Sequence, residues 1–369
     1  MAGTVLIAGG GVIGLACALE CRQRGFRVVL VEKGRCGGQA SGAAAGMLAP
    51  YSENSEQPDA FFRFCRDSLD MYGEWVDRVR ELSAIDPQLL RTGSLNAVFY
   101  EADIQPMLRR MAWQREAGAR VEWADAQAVR SLEPALAGDV AGGLVYPDEA
   151  HVYAPDYVRA LEEACRRSGV TILEGIGQLA LKEWEQGIVL TGNGVPDLHG
   201  DLLVLCTGAW SAEWQERFGA RWPVYPIRGQ ICAYPSEFGE VRHMVFTSQG
   251  YVVGKRNGSL VCGASEDVAG FDASVTEPGI NRLKRWSRRL IPALAHRKVH
   301  HTWAGLRPAT QDGFPFLGPI AGAERVLCAF GHYRNGILLS PATARAVGDW
   351  AEGRPVPAYL AAFDPMRFS

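Results

Sequence analysis

Val5-Leu6-Ile7-Ala8-Gly9-Gly10-Gly11-Val12-Ile13-Gly14 runs an apolar strand straight into a glycine turn, and Glu32 closes the next apolar run, Arg27-Val28-Val29-Leu30-Val31. Strand, glycine turn, helical stretch, strand and terminal acid in this order form a dinucleotide-binding βαβ unit. Gly9 permits the tight turn, Gly11 lets backbone N–H groups approach a pyrophosphate, and Gly14 lets the helix pack closely on the strand with its N-terminus toward the phosphates. Glu32, eighteen residues after Gly14, is placed to accept hydrogen bonds from a ribose hydroxyl. A glycine-rich core turn is the plain alternative, and the strand before it and helix after it argue against that.

An acid at position 32 disfavours a 2′-phosphate and leaves NAD or FAD. The segment Lys33-Gly34-Arg35-Cys36-Gly37-Gly38-Gln39-Ala40-Ser41-Gly42-Ala43-Ala44-Ala45-Gly46-Met47 leans toward FAD. Its small residues suit backbone laid along a long, extended cofactor. A flexible surface loop would not need the embedded Ala43-Ala44-Ala45 or the apolar Met47-Leu48.

With 369 residues the chain exceeds ordinary single-domain size, so two domains are expected. A formal charge of −3 and a pI near 6.2 supply no basic field for nucleic acid or anionic lipid. The basic run from Arg282 to Arg289 reads as a solvated helix face. The apolar region Val5 to Leu19 is broken by three consecutive glycines, lacks a basic leader and is too short to span a bilayer, so neither signal peptide nor membrane anchor is expected. Nine cysteines, with no C-x-x-C pair, predict reduced thiols and a cytoplasmic location. Cys17 and Cys21 share a helical face but have no accompanying ligands, so they read as core packing and no metal is expected.

Further along, Ala60 to Leu82 has helical periodicity, Gly93 to Tyr100 alternates like a strand, and Asp103 to Ala117 reads as a helix before the short strand Val121-Glu122-Trp123. A helix from Pro155 or Asp156 to Ser168 ends at Gly169 and precedes the strand Val170 to Leu173. Leu202-Leu203-Val204-Leu205-Cys206-Thr207-Gly208 is a second buried strand stopping at a glycine, where the chain can pass under the cofactor again. From Trp222 to Gly263 the text is strand-rich, with Asn257-Gly258 as a hairpin turn, and Pro278 to Ile291 reads as a helix. The fold class is therefore α/β combined with α+β: a discontinuous Rossmann-like nucleotide domain (1–85, 146–215, 303–369) with an inserted, largely antiparallel substrate domain (86–145, 216–302).

Two arginines stand in apolar, glycine-marked stretches: Arg307 in Trp303-Ala304-Gly305-Leu306-Arg307-Pro308 and Arg334 in Phe330-Gly331-His332-Tyr333-Arg334-Asn335-Gly336-Ile337-Leu338. A guanidinium there needs an anion, either a substrate carboxylate or a structural Asp or Glu. Tyr251 could donate to the same carboxylate or simply pack in its strand. Ser340-Pro341-Ala342 reads as a helix start capped by Ser340, whose dipole would favour negative charge on a nearby reduced ring. No nucleophile with a base and no H-E-x-x-H or G-x-S-x-G occurs. That absence suits oxidation beside an amine, which needs orientation and an unprotonated nitrogen more than an enzyme base.

These motifs, with Cys206-Thr207-Gly208-Ala209-Trp210-Ser211 and Gly331 to Leu338, resemble the D-amino-acid oxidase superfamily of flavoproteins, most closely its glycine oxidases, over essentially the whole chain. The resemblance implies FAD held by Val12, Ile13, Glu32, Lys33, Ala40, Ser41, Ala45, Gly46 and Met47, by backbone near Gln178, and by the loop of His332, Tyr333, Arg334, Asn335, Gly336, Ile337 and Leu338. It implies Arg307 clamping a small amino acid by its carboxylate, assisted by Tyr251 and Arg334. The implied reaction is hydride transfer to flavin N5, with dioxygen as acceptor, hydrogen peroxide and a keto acid as products, and a possible link to thiamine thiazole synthesis. A homotetramer without nucleic-acid or membrane partners is implied as well. A related D-amino-acid dehydrogenase would instead pass electrons to a membrane quinone. Glu266 and Gln249 stand where a methionine and a histidine occur in one familiar member, and Ala49 replaces a glycine, changes that bear on pocket size and polarity. Related sarcosine oxidases attach flavin through a cysteine near the position of Arg307; none lies between Cys262 and Cys328, so noncovalent FAD is expected.

Overall fold

A computed structural model describes residues 3–54 and 58–369. Its strands fall mainly into two sheets. The first has the order Phe316–Ile320, Ala323–Phe330, Leu202–Leu205, Thr4–Ala8, Arg27–Val31, Thr171–Leu173. All its pairings are parallel except that of the Phe316–Ile320 edge. Strands buried on both faces need unbroken apolar runs, which is what Val5 to Ala8 supplies. Val5 and Ile7 face a helical layer made by Val12–Gln23, Ala60–Ser83, Ala154–Arg167 and Gly336–Ala351. Leu6 and Ala8 face the opposite way, onto the three-stranded sheet Ala180–Glu183, Ile188–Gly192, Val195–Gly200.

The second sheet has eight strands in the order His301–Thr310, Val224–Pro235, Ser259–Gly263, Gly250–Lys255, Met244–Thr247, Ser94–Val98, Gly142–Tyr146, Glu122–Asp125. It is antiparallel apart from the pairing of Met244–Thr247 with Ser94–Val98. The helix Glu277–Leu290 covers one face. Thr276 caps it by accepting from the Gly279 N–H at 3.3 Å, and Ile280, Leu283, Trp286 and Leu290 form its buried stripe.

Two local expectations are revised and one is borne out. The strand His301–Thr310 pairs with Val224–Pro235 from His301 to Thr310, so the expected passage between domains at residue 303 falls inside a strand. Cross-strand pairing is a long-range property that the local apolar pattern does not carry. The expected hairpin turn at Asn257-Gly258 is borne out: a three-residue connection joins the antiparallel pair Gly250–Lys255 and Ser259–Gly263, with Gly258 at φ +81°. Finally, the last long helix starts at Gly336, and Ser340 and Pro341 lie within it. Pro341 has no N–H to offer the Ile337 carbonyl four residues back. That carbonyl instead accepts from the Tyr72 hydroxyl at 3.0 Å and the Ser340 hydroxyl at 2.8 Å, so the helix continues through the proline.

Candidate active site

A cavity of about 1030 Å³ runs between the two sheets. It opens beyond the carboxyl ends of the parallel strands: Gly9 follows Thr4–Ala8, Glu32 follows Arg27–Val31, Cys206 follows Leu202–Leu205, and Gly331 follows Ala323–Phe330. Ligands of open α/β sheets bind at that edge. The volume is at the upper end for small-molecule pockets and suits a long dinucleotide better than an amino acid alone.

At one end the wall is main chain. Gly9 sits at φ +112°, and a Cβ there would lie 2.4 Å from the Cys206 carbonyl oxygen. A Cβ on Gly14 would lie 1.9 Å from the Gly9 carbonyl oxygen, so Gly14 serves helix-on-turn packing rather than the cavity surface. Helix Val12–Gln23 carries no acid in its first turn, leaving its positive end available to a phosphate. The Ser41 hydroxyl accepts from the Val12 N–H at 2.9 Å, tying the second small-residue stretch to that helix. Glu32 accepts from the Gly10 N–H at 2.7 Å and the Gly34 N–H at 2.8 Å, so its carboxylate is fixed on the cavity wall.

Of the residues read from sequence, Gly9, Gly11, Val12, Ile13, Glu32, Lys33, Ala40, Ser41, Ala45, Gly46, Met47, Gln178, Gly208, His332, Tyr333, Arg334, Gly336 and Ile337 line the cavity. Gly14, Asn335 and Leu338 stand outside that lining. Leu338 is wholly buried, its carbonyl accepting from the Ser68 hydroxyl at 2.6 Å, and Asn335 precedes the first residue of its helix. His332 bonds the Thr343 hydroxyl at 3.0 Å, and burial lowers its imidazole to about 3, which keeps it neutral.

At the other end the wall is made of side chains. Arg307 projects from its strand into space left by Gly229, where a Cβ would sit 2.4 Å from the guanidinium. Its Nη1 donates to the Ser265 carbonyl at 2.9 Å. Among the described residues no carboxylate forms an ion pair with it. Tyr251 is 5% exposed, and burial raises its hydroxyl to about 12 although Arg307 and Arg334 both favour the phenolate. Arg334 meets the structural alternative instead: Nη2 pairs with Glu53 and Nη1 with Glu266, each at 3.0 Å. Tyr333, at φ +45°, donates its hydroxyl to Glu266 at 3.0 Å.

Sequence reasoning missed Glu53 and the role of Glu266, because neither lies in a periodic run or motif. It also missed Glu149, fully buried, which accepts from the Tyr51 N–H at 2.7 Å, the Ser52 N–H at 2.8 Å and the hydroxyls of Ser52 and Ser94. Desolvation nevertheless raises its carboxyl to about 7. It anchors the loop that carries Glu53. Buried Lys255 donates to the Val152 carbonyl at 2.9 Å and lies 3.0 Å from His151 Nδ1, and burial lowers its amine to about 7. All nine cysteines are free, and no helix of the described residues is long and apolar enough to cross a membrane.

A family model described as FAD dependent oxidoreductase matches residues 4–350. A glycine oxidase of Geobacillus kaustophilus is 32% identical over 98% of this chain and 96% of its own. A bifunctional ThiO/ThiG protein of Synechocystis is 34% identical over 99% of this chain but 54% of its own length, so the chain spans about half of that relative. The crystal structure of the Geobacillus kaustophilus glycine oxidase superposes with a TM-score of 0.94 at 31% identity, covering 100% of this chain and 99% of that one.

Proposed function

The chain belongs to the DAO family of FAD-dependent oxidoreductases, and from that premise we propose that it oxidises glycine and related small amines such as sarcosine, D-alanine and D-proline. The observation that carries the reading is Arg307: a guanidinium facing a nucleotide-sized cavity with no carboxylate ion pair among the described residues. A planar fork of that kind matches one substrate carboxylate. Similarity to glycine oxidases over nearly the whole chain supports the same class of substrate.

In this reading the parallel sheet and its helices hold FAD and the eight-stranded sheet presents the substrate. Backbone amides around Gly9 to Val12 receive the pyrophosphate and Glu32 a ribose hydroxyl. The hold is noncovalent: Cys36 and Cys206 are the cysteines on the cavity wall, and both lie beside the glycine turn. FAD, when bound, supplies a two-electron acceptor that dioxygen can reoxidise with release of hydrogen peroxide. Arg307 fixes the carboxylate, and Tyr251 donates its hydroxyl to the same group. Because burial holds that phenol protonated, it remains a donor across the neutral range. His332, neutral and turned to Thr343, takes no proton from the substrate. The amine therefore reacts in its unprotonated form, orientation being the contribution of the protein. The resulting imine hydrolyses to a keto acid, glyoxylate from glycine, with ammonia or an amine. Likeness to the ThiO/ThiG protein supports a place for that imine in thiamine thiazole synthesis.

The test is a peroxide assay on purified yellow protein with glycine, sarcosine, D-alanine and D-proline. Peroxide equimolar with keto acid is expected. Failure of all four to bleach the bound flavin without oxygen would refute the substrate class, whereas bleaching with electrons reaching only a quinone would refute the oxidase.

A further inference from the structure

We infer that Trp75, Tyr157, Ser340 and Tyr72 form a buried relay of donors that polarises the Ile337–Leu338 peptide toward the large cavity and so raises the affinity of the bound flavin for electrons. The inference rests on the cavity as the FAD site and deepens that reading by naming positioning residues behind its wall. All four residues are at most 2% exposed, and they come from three helices.

Donor and acceptor chemistry fixes the direction of the relay. The Trp75 indole can only donate, and it donates to the Tyr157 hydroxyl at 2.7 Å. The Ser340 hydroxyl directs its one proton to the Ile337 carbonyl at 2.8 Å, so in its 2.8 Å contact with Tyr157 it accepts. Tyr72 donates to the same carbonyl at 3.0 Å. The carbonyl that Pro341 leaves without a helical partner thus receives two hydroxyls, one of them backed by two further donors. Burial raises both phenols, that of Tyr157 to about 12, so both stay protonated.

The N–H side of this peptide is open. Helix Gly336–Ala351 has no side-chain cap and no acid in its first turn, and its first N–H groups point back along the axis toward the cavity wall at Gly336 and Ile337. The Leu339 N–H reaches the Asn335 carbonyl at 2.8 Å, whereas among the described residues the N–H of wholly buried Leu338 meets no acceptor. A buried N–H is rarely left so. Hydrogen bonds in a chain polarise one another, so donors on the Ile337 carbonyl strengthen the Leu338 N–H. Negative charge that the flavin gains on reduction is stabilised at this helix end.

The experiment measures the flavin midpoint potential of the holoenzyme against a reference dye during chemical reduction, together with the thermal midpoint. Tyr72→Phe and Tyr157→Phe each remove one arm and should lower the preference for reduced over oxidised flavin about threefold. The double variant should lower it about tenfold, a potential lower by about 30 mV for a two-electron couple. Val79→Ala, a truncation of a buried apolar residue on the helix of Tyr72, should lower the thermal midpoint and leave the potential at its wild-type value. Potentials unchanged in both single variants, or shifted as far by Val79→Ala, overturn the relay and leave the network as packing. Chemical reduction needs no substrate, so a protein that ignores all four amines refutes the proposed substrates while its potentials still decide the relay. A wild-type protein that takes up no FAD overturns both.

Discussion

The two ends of the large cavity are built from different materials. At the nucleotide end, contact is made by main chain that glycines leave bare, and the carboxylate of Glu32 on that wall is held by two backbone amides. At the substrate end, Glu53, Tyr251, Arg307 and Arg334 come from separate segments and line the wall as side chains, with Glu53 and Glu266 paired to Arg334. The first end recognises by shape, so adding one methyl group disrupts it. The second recognises by charge, so a residue can change there without moving the backbone. Substitutions should therefore separate chemistry from fold according to the end they touch.

The largest effect is expected from Arg307→Ala. Removing the carboxylate fork should lower kcat/KM for glycine about 10³-fold, roughly 4 kcal/mol, mostly through KM. Bound flavin and thermal midpoint should stay near wild type, because a small residue at 307 only enlarges the space beside Gly229. Unchanged kinetics would remove Arg307 from the site. Next comes Gly14→Ala, whose new methyl meets the Gly9 carbonyl at 1.9 Å. With the Gly9 backbone on one side and the Cys206 Cβ on the other, nothing can yield cheaply, and a loss of about 3 kcal/mol in stability is expected together with weak flavin retention. A yellow, wild-type-like melt would show that the turn is more plastic than its geometry implies.

Glu149 lies behind the loop that delivers Glu53, bonded to Tyr51 and Ser52, and its effect should depend on pH. Its folded value, about 7, lies above its ordinary 4.5. The contribution of its protonated form to folding is therefore fully present below about pH 4.5 and lost as pH rises through about 7, an amount on the order of 3 kcal/mol. In Glu149→Gln the amide oxygen can accept from the Tyr51 and Ser52 N–H groups while its nitrogen donates to the two serine hydroxyls. Denaturant unfolding of this variant should consequently lose the decline in stability that the wild-type protein shows from about pH 5 to 8. A parallel decline in both proteins would place the responsible group elsewhere.

The same contrast explains what sequence reading reached. The nucleotide end is written in one local stretch: a buried strand, three glycines at fixed offsets and an acid after the next strand can be read together from Val5 to Glu32. Arg307 and Arg334 were visible as charges in apolar text, yet their partners were not, since Glu53 lies 281 residues from Arg334. Which arginine would be paired was therefore open until the chain was folded. Ser340 misled for a related reason. Its Ser-Pro pair has the local form of a helix start, whereas in the fold the Ser340 hydroxyl and Tyr72, on a distant helix, both donate to the Ile337 carbonyl that Pro341 leaves without its usual partner.

Glu32 gives the smallest expected effect and the sharpest test of the nucleotide end, because its carboxylate has two possible duties. In the structure it organises the turn by accepting from Gly10 and Gly34. In the proposed function it also accepts from a ribose hydroxyl. Glu32→Ala removes both, leaving the part-buried Gly10 N–H unpaired and the exposed Gly34 N–H to water, and a loss of about 1–2 kcal/mol is expected. The two duties separate by observable. The thermal midpoint of protein stripped of FAD reports the turn alone, while the FAD dissociation constant reports the turn and the ribose contact together. If Glu32→Ala lowers the first and raises the second by about tenfold more than the stability loss accounts for, the carboxylate touches the coenzyme. If FAD affinity falls no further than the stability of the stripped protein, Glu32 is a brace for the main chain, and the amides it positions hold the nucleotide without it.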